Sequence, residues 1–327
     1  MNALETIDAA RCSPSPGAER GAATWCSLHV YQERPDDLLI HCVAPLVRSL
    51  RARELVSRFF FLRYWERGFH VRLRARVSDP AAAARVEAEI RAQVQEHLER
   101  SPSVRSIDPV TYAAAQRELA ALEGVELDAV ELARNDSIAA EAYAPEYGKY
   151  GGARGVDVAE ALFDHSTRVV LASLPAVAGR GGVRLGLGLS MMLVALRGFG
   201  LPAERMGPFL ARYEQIWGAY RGGGAPEPSR LAAMRARVLP QVRSILAGEP
   251  QPAVLQRWGD AVAAARRAVD EHAEEIRAGS DRGGSAQAQR AALLVHYLHT
   301  HNNRLGLVPG DEALLAGLAR SAVEASS

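Results

Sequence analysis

The stretch FHVRLRARV at 69–77 limits the fold more than any other part of this 327-residue chain. Read with a period of two, Phe69, Val71, Leu73, Ala75 and Val77 point one way, and His70, Arg72, Arg74 and Arg76 point the other. Such alternation belongs to a β-strand with one apolar face, since a helix would repeat every three to four residues. The aromatic run RFFFLRYW at 58–65 precedes it, separated by ERG. A three-residue loop with Gly68 left-handed predicts that 58–65 and 69–77 form an antiparallel hairpin. WCSLHVY at 25–31 has the composition of another strand.

The solvated outer face of a sheet alternates in the same way. Here, however, four cationic or potentially cationic groups repel along one strand, and no acidic residue alternates among them. In the expected register Phe60, Leu62 and Tyr64 share their side. Arginines beside aromatic rings make a wall suited to a carboxylate, a phosphate or a flat ring. The same register puts Arg63 on the apolar face with Phe61 and Trp65, where it needs a buried partner; a slip of one residue would bring it beside His70.

The remaining pattern is helical. Residues between the first two strands have helical spacing interrupted by Pro45, and the segment from Ser78 to Arg100 is a helix with Ser78 or Asp79 as N-cap and Pro80 in its first turn. SIDPVTYAAAQRELAALEG, starting at Ser106, reads equally as extended chain or helix. Residues 143–155 form a loop punctuated by Pro and Gly. Helices are expected at 156–177, 185–199, 202–221, 228–247, 251–278, 285–302 and 310–325, with turns or linkers at 222–228 and 279–285. The expected class is α+β, an antiparallel sheet near the N-terminus packed against a helix-rich second half. Residues 1–24 read as a flexible leader without the features of a signal peptide, followed by one domain at 25–327.

Charge narrows the function. The 39 basic side chains balance 38 acidic ones to within one unit. A field that would gather nucleic acid or an acidic membrane is absent, so any basic site is local. The longest apolar run, Leu185 to Leu196, is too short to span a bilayer. A soluble, cytoplasmic protein with reduced thiols at Cys12, Cys26 and Cys42 is expected.

Two further clusters carry chemistry. In VHYLHTHNNRLGL at 295–307, His299 and Asn303 share one helix face with His296 one turn earlier, and Gly306 marks the C-cap. The spacing matches no zinc pattern and lacks a carboxylate or thiolate, so neither metal nor cofactor is expected. In YAPEYGKYGG, Gly151 and Gly152 allow positive φ or a close backbone approach, Glu146 is placed to orient an arginine, Lys149 to bind an anion, and Tyr150 reads as core. Asp164, His165 and Ser166 are adjacent on a helix, so their side chains diverge and they form no triad.

Taken in order, WCSLHVY, FFFLRYWERGFHVRLR, YAPEYGKYGG, AEALFDHS and LHTHNNRLGL resemble the C-terminal domain of lantibiotic dehydratases, which also occurs as a standalone thiopeptide-type bacteriocin biosynthesis protein. The resemblance implies tailoring of ribosomally made peptide antibiotics: a glutamylation domain esterifies Ser or Thr from glutamyl-tRNA, and this domain eliminates glutamate to leave dehydroalanine or dehydrobutyrine. Divergent standalone relatives instead join two dehydroalanines into a pyridine and expel the leader peptide. No stretch here resembles the glutamylation domain, so the implied partners are a precursor peptide with its leader and a separate glutamyl-tRNA-dependent enzyme; homodimers are common among such systems. By motif match the catalytic residues fall on Arg72, Arg74 and His299, with Arg63, Tyr64, His70, Glu146, Lys149, Tyr150, His165, Asn303 and Arg304 binding substrate. The RYGG of many relatives is KYGG here, which keeps the charge of Lys149 and loses the bidentate fork. A module that binds peptide without catalysis is the third reading.

Overall fold

The computed structural model describes residues 24–105, 108, 110–114, 117, 132–220, 227–281 and 283–325. The leader up to residue 23, Cys12, most of the undecided segment after Ser106 and most of the 222–228 linker lie outside these residues. The chain divides into two compact units, 1–144 and 145–327.

The first unit holds β1 (Trp25–Tyr31), α1 (Pro35–Leu38), a π-helical stretch (Leu39–Val43), α2 (Ala44–Ala52), β2 (Val56–Tyr64), β3 (His70–Val77), α3 (Ala83–Arg100) and β4 (Ser137–Ala140). The wider π-turn sits immediately before Pro45, whose ring and missing N–H would break a regular α ladder, so the helix continues where an interruption was expected. Asp79 caps the next helical segment by accepting from the Ala81 N–H at 3.0 Å.

All strand pairs are antiparallel, in the order β2-β3-β1-β4. Phe60, Leu62 and Tyr64 oppose Arg74, Arg72 and His70, which is the expected register. The loop differs: the ladder closes at Tyr64 and His70, so Trp65 and Phe69 leave the strands and Phe69 is exposed. Arg67 and Gly68 both take positive φ. Tyr112 explains the longer loop, because its hydroxyl donates to the Trp65 carbonyl and accepts from the Gly68 N–H. The face carrying Cys26, Leu28, Val30, Phe59, Phe61, Val71 and Leu73 is core, with α2 packed on β2 and α3 on β1.

The second unit is helical: α4 (Tyr147–Tyr150), α5 (Gly152–Val177), α6 (Gly181–Gly198), α7 (Ala203–Gly218), α8 (Pro228–Ala247), α9 (Ala253–Glu271), α10 (Ala273–Ala278), α11 (Ala286–Leu305) and α12 (Pro309–Glu324). α9 packs on α5 and α6, α11 on α5, and α12 on α7. Trp258 is fully buried and donates its indole N–H to the Met191 carbonyl at 3.0 Å. The class is α+β.

The expected 143–155 loop contains a single helical turn, and α5 begins at Gly152 rather than Val156. Gly151 makes the junction at φ 89°, pressed against α10 so closely that a Cβ would fall 2.4 Å from both the Ile276 carbonyl oxygen and its Cγ2. Gly151→Ala therefore combines a left-handed strain with a backbone clash. It is expected to cost about 2 kcal/mol or more, read as a lowered urea midpoint; an unchanged midpoint would contradict this packing.

Candidate active site

The polar side of β3 is not a solvated face. His70 is 3% exposed, Arg74 7% and, on the neighbouring β1, His29 8%. Pairing explains the company they keep: Tyr31, His29 and Ser27 oppose His70, Arg72 and Arg74 across one ladder, and Tyr64, Leu62 and Phe60 oppose them across the other. Opposed residues of an antiparallel pair share a face, so two imidazoles, two phenol rings and two guanidinium groups meet there.

The imidazoles relieve the expected repulsion by being neutral. His70 Nδ1 lies 2.9 Å from the Gly68 carbonyl, and Nε2 accepts from Arg72 Nε at 3.1 Å, which places the proton on Nδ1. Arg74 reaches His29 Nε2 at 3.0 Å, and the two imidazole rings stack with centroids 4.9 Å apart. Burial first, then Arg72 and Arg74, hold His29 down to about 3. Burial likewise lowers His70 to about 4, against the Gly68 hydrogen bond.

The guanidinium groups differ in their partners. Arg72 lies over the Tyr64 ring at 3.3 Å and pairs with the exposed Glu66 carboxylate at 3.1 Å. Arg74 bonds the Leu73 carbonyl at 3.2 Å and His29, both neutral, and among the described residues no carboxylate lies within 4.0 Å of it. Burial, then Arg72, lowers Arg74 to about 10, so it remains a cation at neutral pH. A buried cation whose hydrogen-bond partners are neutral has the chemistry to accept an anion. Arg63, by contrast, faces the core side and pairs with the partly exposed Asp36 at 2.7 Å, a carboxylate partner that separates it from Arg72 and Arg74.

On α11, position 299 belongs to the less buried line of the helix together with 295 and 303, whereas His296, His301, Asn302 and Arg304 point into the unit. The His299 ring stacks on Trp217 at 3.9 Å with an interplanar angle of 10°, and its Nδ1 lies 2.8 Å from Glu312 Oε1. Glu312 is fully buried, and its other oxygen accepts from Tyr213 and from Asn302 at 3.0 Å. His301 is a core residue, stacked on Trp258 and bonded to Ser166 at 2.8 Å, with burial lowering it to about 3.

Among the described residues no group of three or more His, Cys, Asp or Glu could hold a metal ion, and no helix is long and apolar enough to cross a membrane. Cys26 and Cys42 are free and buried, with thiols pushed up to about 11 by burial.

The family model for the C-terminal part of lantibiotic biosynthesis dehydratases matches residues 25–323. The chain belongs to the lantibiotic dehydratase C-terminal family. Among solved structures it is similar to TbtD, a pyridine synthase from thiomuracin biosynthesis, at 23% identity and TM-score 0.72, covering 92% of this chain and 98% of that one. It is also similar to TsrL, at 18% identity and TM-score 0.63 over 93% and 95% of the two chains. The tRNA-dependent lantibiotic dehydratase MibB from Microbispora sp. 107891 matches at 24% identity and TM-score 0.58, covering 94% of this chain and 29% of that one. At these identities the likeness is one of fold. No curated protein matches.

Other residues expected from the family motifs are already engaged. Lys149 holds both oxygens of Glu146, at 2.9 and 3.0 Å, so Glu146 orients a lysine rather than an arginine. Tyr150 is core, stacked parallel to Tyr297. Arg304 is fully buried, donates to the Thr300 carbonyl at 2.9 Å and lies over the Phe163 ring. His165 is exposed and contacts Arg168, while Asn303 stays on the accessible line with His299. His29, Tyr31, Tyr143, Trp217, Tyr213 and Glu312 were not anticipated. For the first two, the alternation of WCSLHVY was the available signal.

Protonation follows from the lowered histidines. An unfolded histidine binds its proton near pH 6.5, whereas His29 and His70 resist until about 3 and 4. As pH falls below about 6.5 the unfolded chain binds more protons than the folded one, so stability is full above that value and declines toward pH 4. Melting temperature should be lower at pH 5 than at pH 7.5, and replacing both histidines by glutamine should flatten that dependence. An unchanged slope in the double variant would contradict neutral imidazoles.

Proposed function

We propose that this protein tailors a ribosomally made antibiotic precursor by eliminating glutamate from glutamylated Ser or Thr, leaving dehydroalanine or dehydrobutyrine. The glutamyl ester would come from a separate glutamyl-tRNA-dependent enzyme. Buried Arg74, with neutral partners and Arg72 beside it, is the observation that carries this reading. The reaction creates two anions for such groups to hold: the departing glutamate carboxylate and the oxygen of the developing enolate. Guanidinium groups suit the task because they stay charged and bind carboxylates with a planar fork. The Glu66 carboxylate on Arg72 is half exposed and readily exchanged for a substrate carboxylate.

His299 is the proton relay. With Nδ1 engaged by Glu312, its Nε2 takes the α-proton as the C–H electrons form the double bond and the Cβ–O bond breaks toward glutamate. Tyr64 and His70 shape the cationic wall around Arg72.

A second reading, pyridine formation from two dehydroalanines with expulsion of the leader, is favoured by the end-to-end likeness to a pyridine synthase. Lys149 favours it too, since the position where many relatives carry an arginine is here a lysine tied to Glu146.

Two peptides separate the readings. With a glutamylated precursor peptide, elimination predicts release of free glutamate and the corresponding mass loss, with Arg74→Ala and His299→Ala slower by about 10²-fold or more. Absence of glutamate, together with macrocycle formation and leader loss from a dehydroalanine-containing peptide, would replace the first reading by the second. Affinity for the peptide without any mass change would replace both with a binding module.

A further inference from the structure

Glu312 is a buried carboxylate that three side chains from two helices surround, and it touches the imidazole proposed to move the proton. It lies in the first turn of α12, and its carboxylate oxygens are hydrogen-bonded to His299, Asn302 and Tyr213. Asn302 and Tyr213 both occupy Oε2, leaving Oε1 to His299. A carboxylate accepts hydrogen bonds, so the 2.8 Å contact is satisfied by an imidazole that carries its proton on Nδ1 and its lone pair on Nε2. Parallel stacking on Trp217 hinders rotation of the ring out of that alignment.

We infer that Glu312 is the positioning residue of the site: it holds His299 as the Nδ1–H tautomer, oriented so that Nε2 can accept the substrate proton. The inference rests on His299 being the proton relay. Tyr213 and Asn302 act one step further back, by fixing the carboxylate. The arrangement follows the logic of a carboxylate–histidine pair in which the carboxylate orients the base and offsets the charge it acquires. If the network served only to join α7, α11 and α12, neither the tautomer nor turnover would depend on the charge of Glu312.

The test combines kinetics with nitrogen-15 NMR of histidine-labelled protein, the His299 signals being identified by their loss in His299→Ala. Wild type should show a protonated Nδ1 and an unprotonated Nε2. Glu312→Gln, which keeps the shape and removes the charge, should mix the tautomers and lower kcat for glutamate release by about 10²-fold or more, with KM changed far less. Tyr213→Phe should keep the tautomer and lose activity only severalfold. Nε2–H in wild type, or a folded Glu312→Gln with wild-type kcat, would overturn the inference. Should wild type release no glutamate, the elimination reading fails separately; the wild-type tautomer then decides alone, Nδ1–H upholding the positioning role and Nε2–H ending it.

Discussion

Arg74 is a buried guanidinium group whose hydrogen-bond partners are neutral, and the arrangement around β3 is read from that constraint. Removing such a charge from water costs several kcal/mol unless hydrogen bonds and aromatic faces compensate. Arg74 receives a carbonyl, an imidazole nitrogen and the Tyr143 ring; Arg72 receives an imidazole, the Tyr64 ring and an exposed carboxylate. These partners hold both cations in place, and those of Arg74 include no carboxylate within 4.0 Å among the described residues.

The same reasoning separates the histidines by role. His29, His70 and His301 are lowered by burial and serve as neutral hydrogen-bond partners. His299 alone among the histidines of the α11 cluster combines partial exposure with a buried carboxylate on Nδ1. Its neighbour on the accessible line, Asn303, is four residues along the helix, while the residues between them turn inward. A motif dense in polar groups thus faces partly into the core and partly along the accessible line of the helix.

Much of this was legible in the sequence. The alternation at 69–77 marked the strand and its two faces, but it left open a one-residue slip against β2 that would have moved Arg63; the ladder itself, with Tyr64 opposite His70, decides that register. The helices of the second half were readable from their periodicity to within a few residues. The hairpin loop was misjudged because Tyr112, more than 40 residues away, holds its backbone. His29 escaped because the pairing of β1 with β3 is a long-range fact that composition does not reveal. Glu312 carried no signal at all: an acidic residue in a first helical turn ordinarily faces water, and only the packing of α12 against α7 buries it against Tyr213.

The central claim is that Arg72 and Arg74, side by side on the polar face of β3, together hold the anion that one chemical step creates. A double-mutant cycle on glutamate release, with Arg72→Ala, Arg74→Ala and the pair, tests it most directly. Residues acting on one transition state are strongly non-additive, so the double variant should be little slower than the worse single one. Rate losses that simply multiply, or single variants as fast as wild type, would contradict the account.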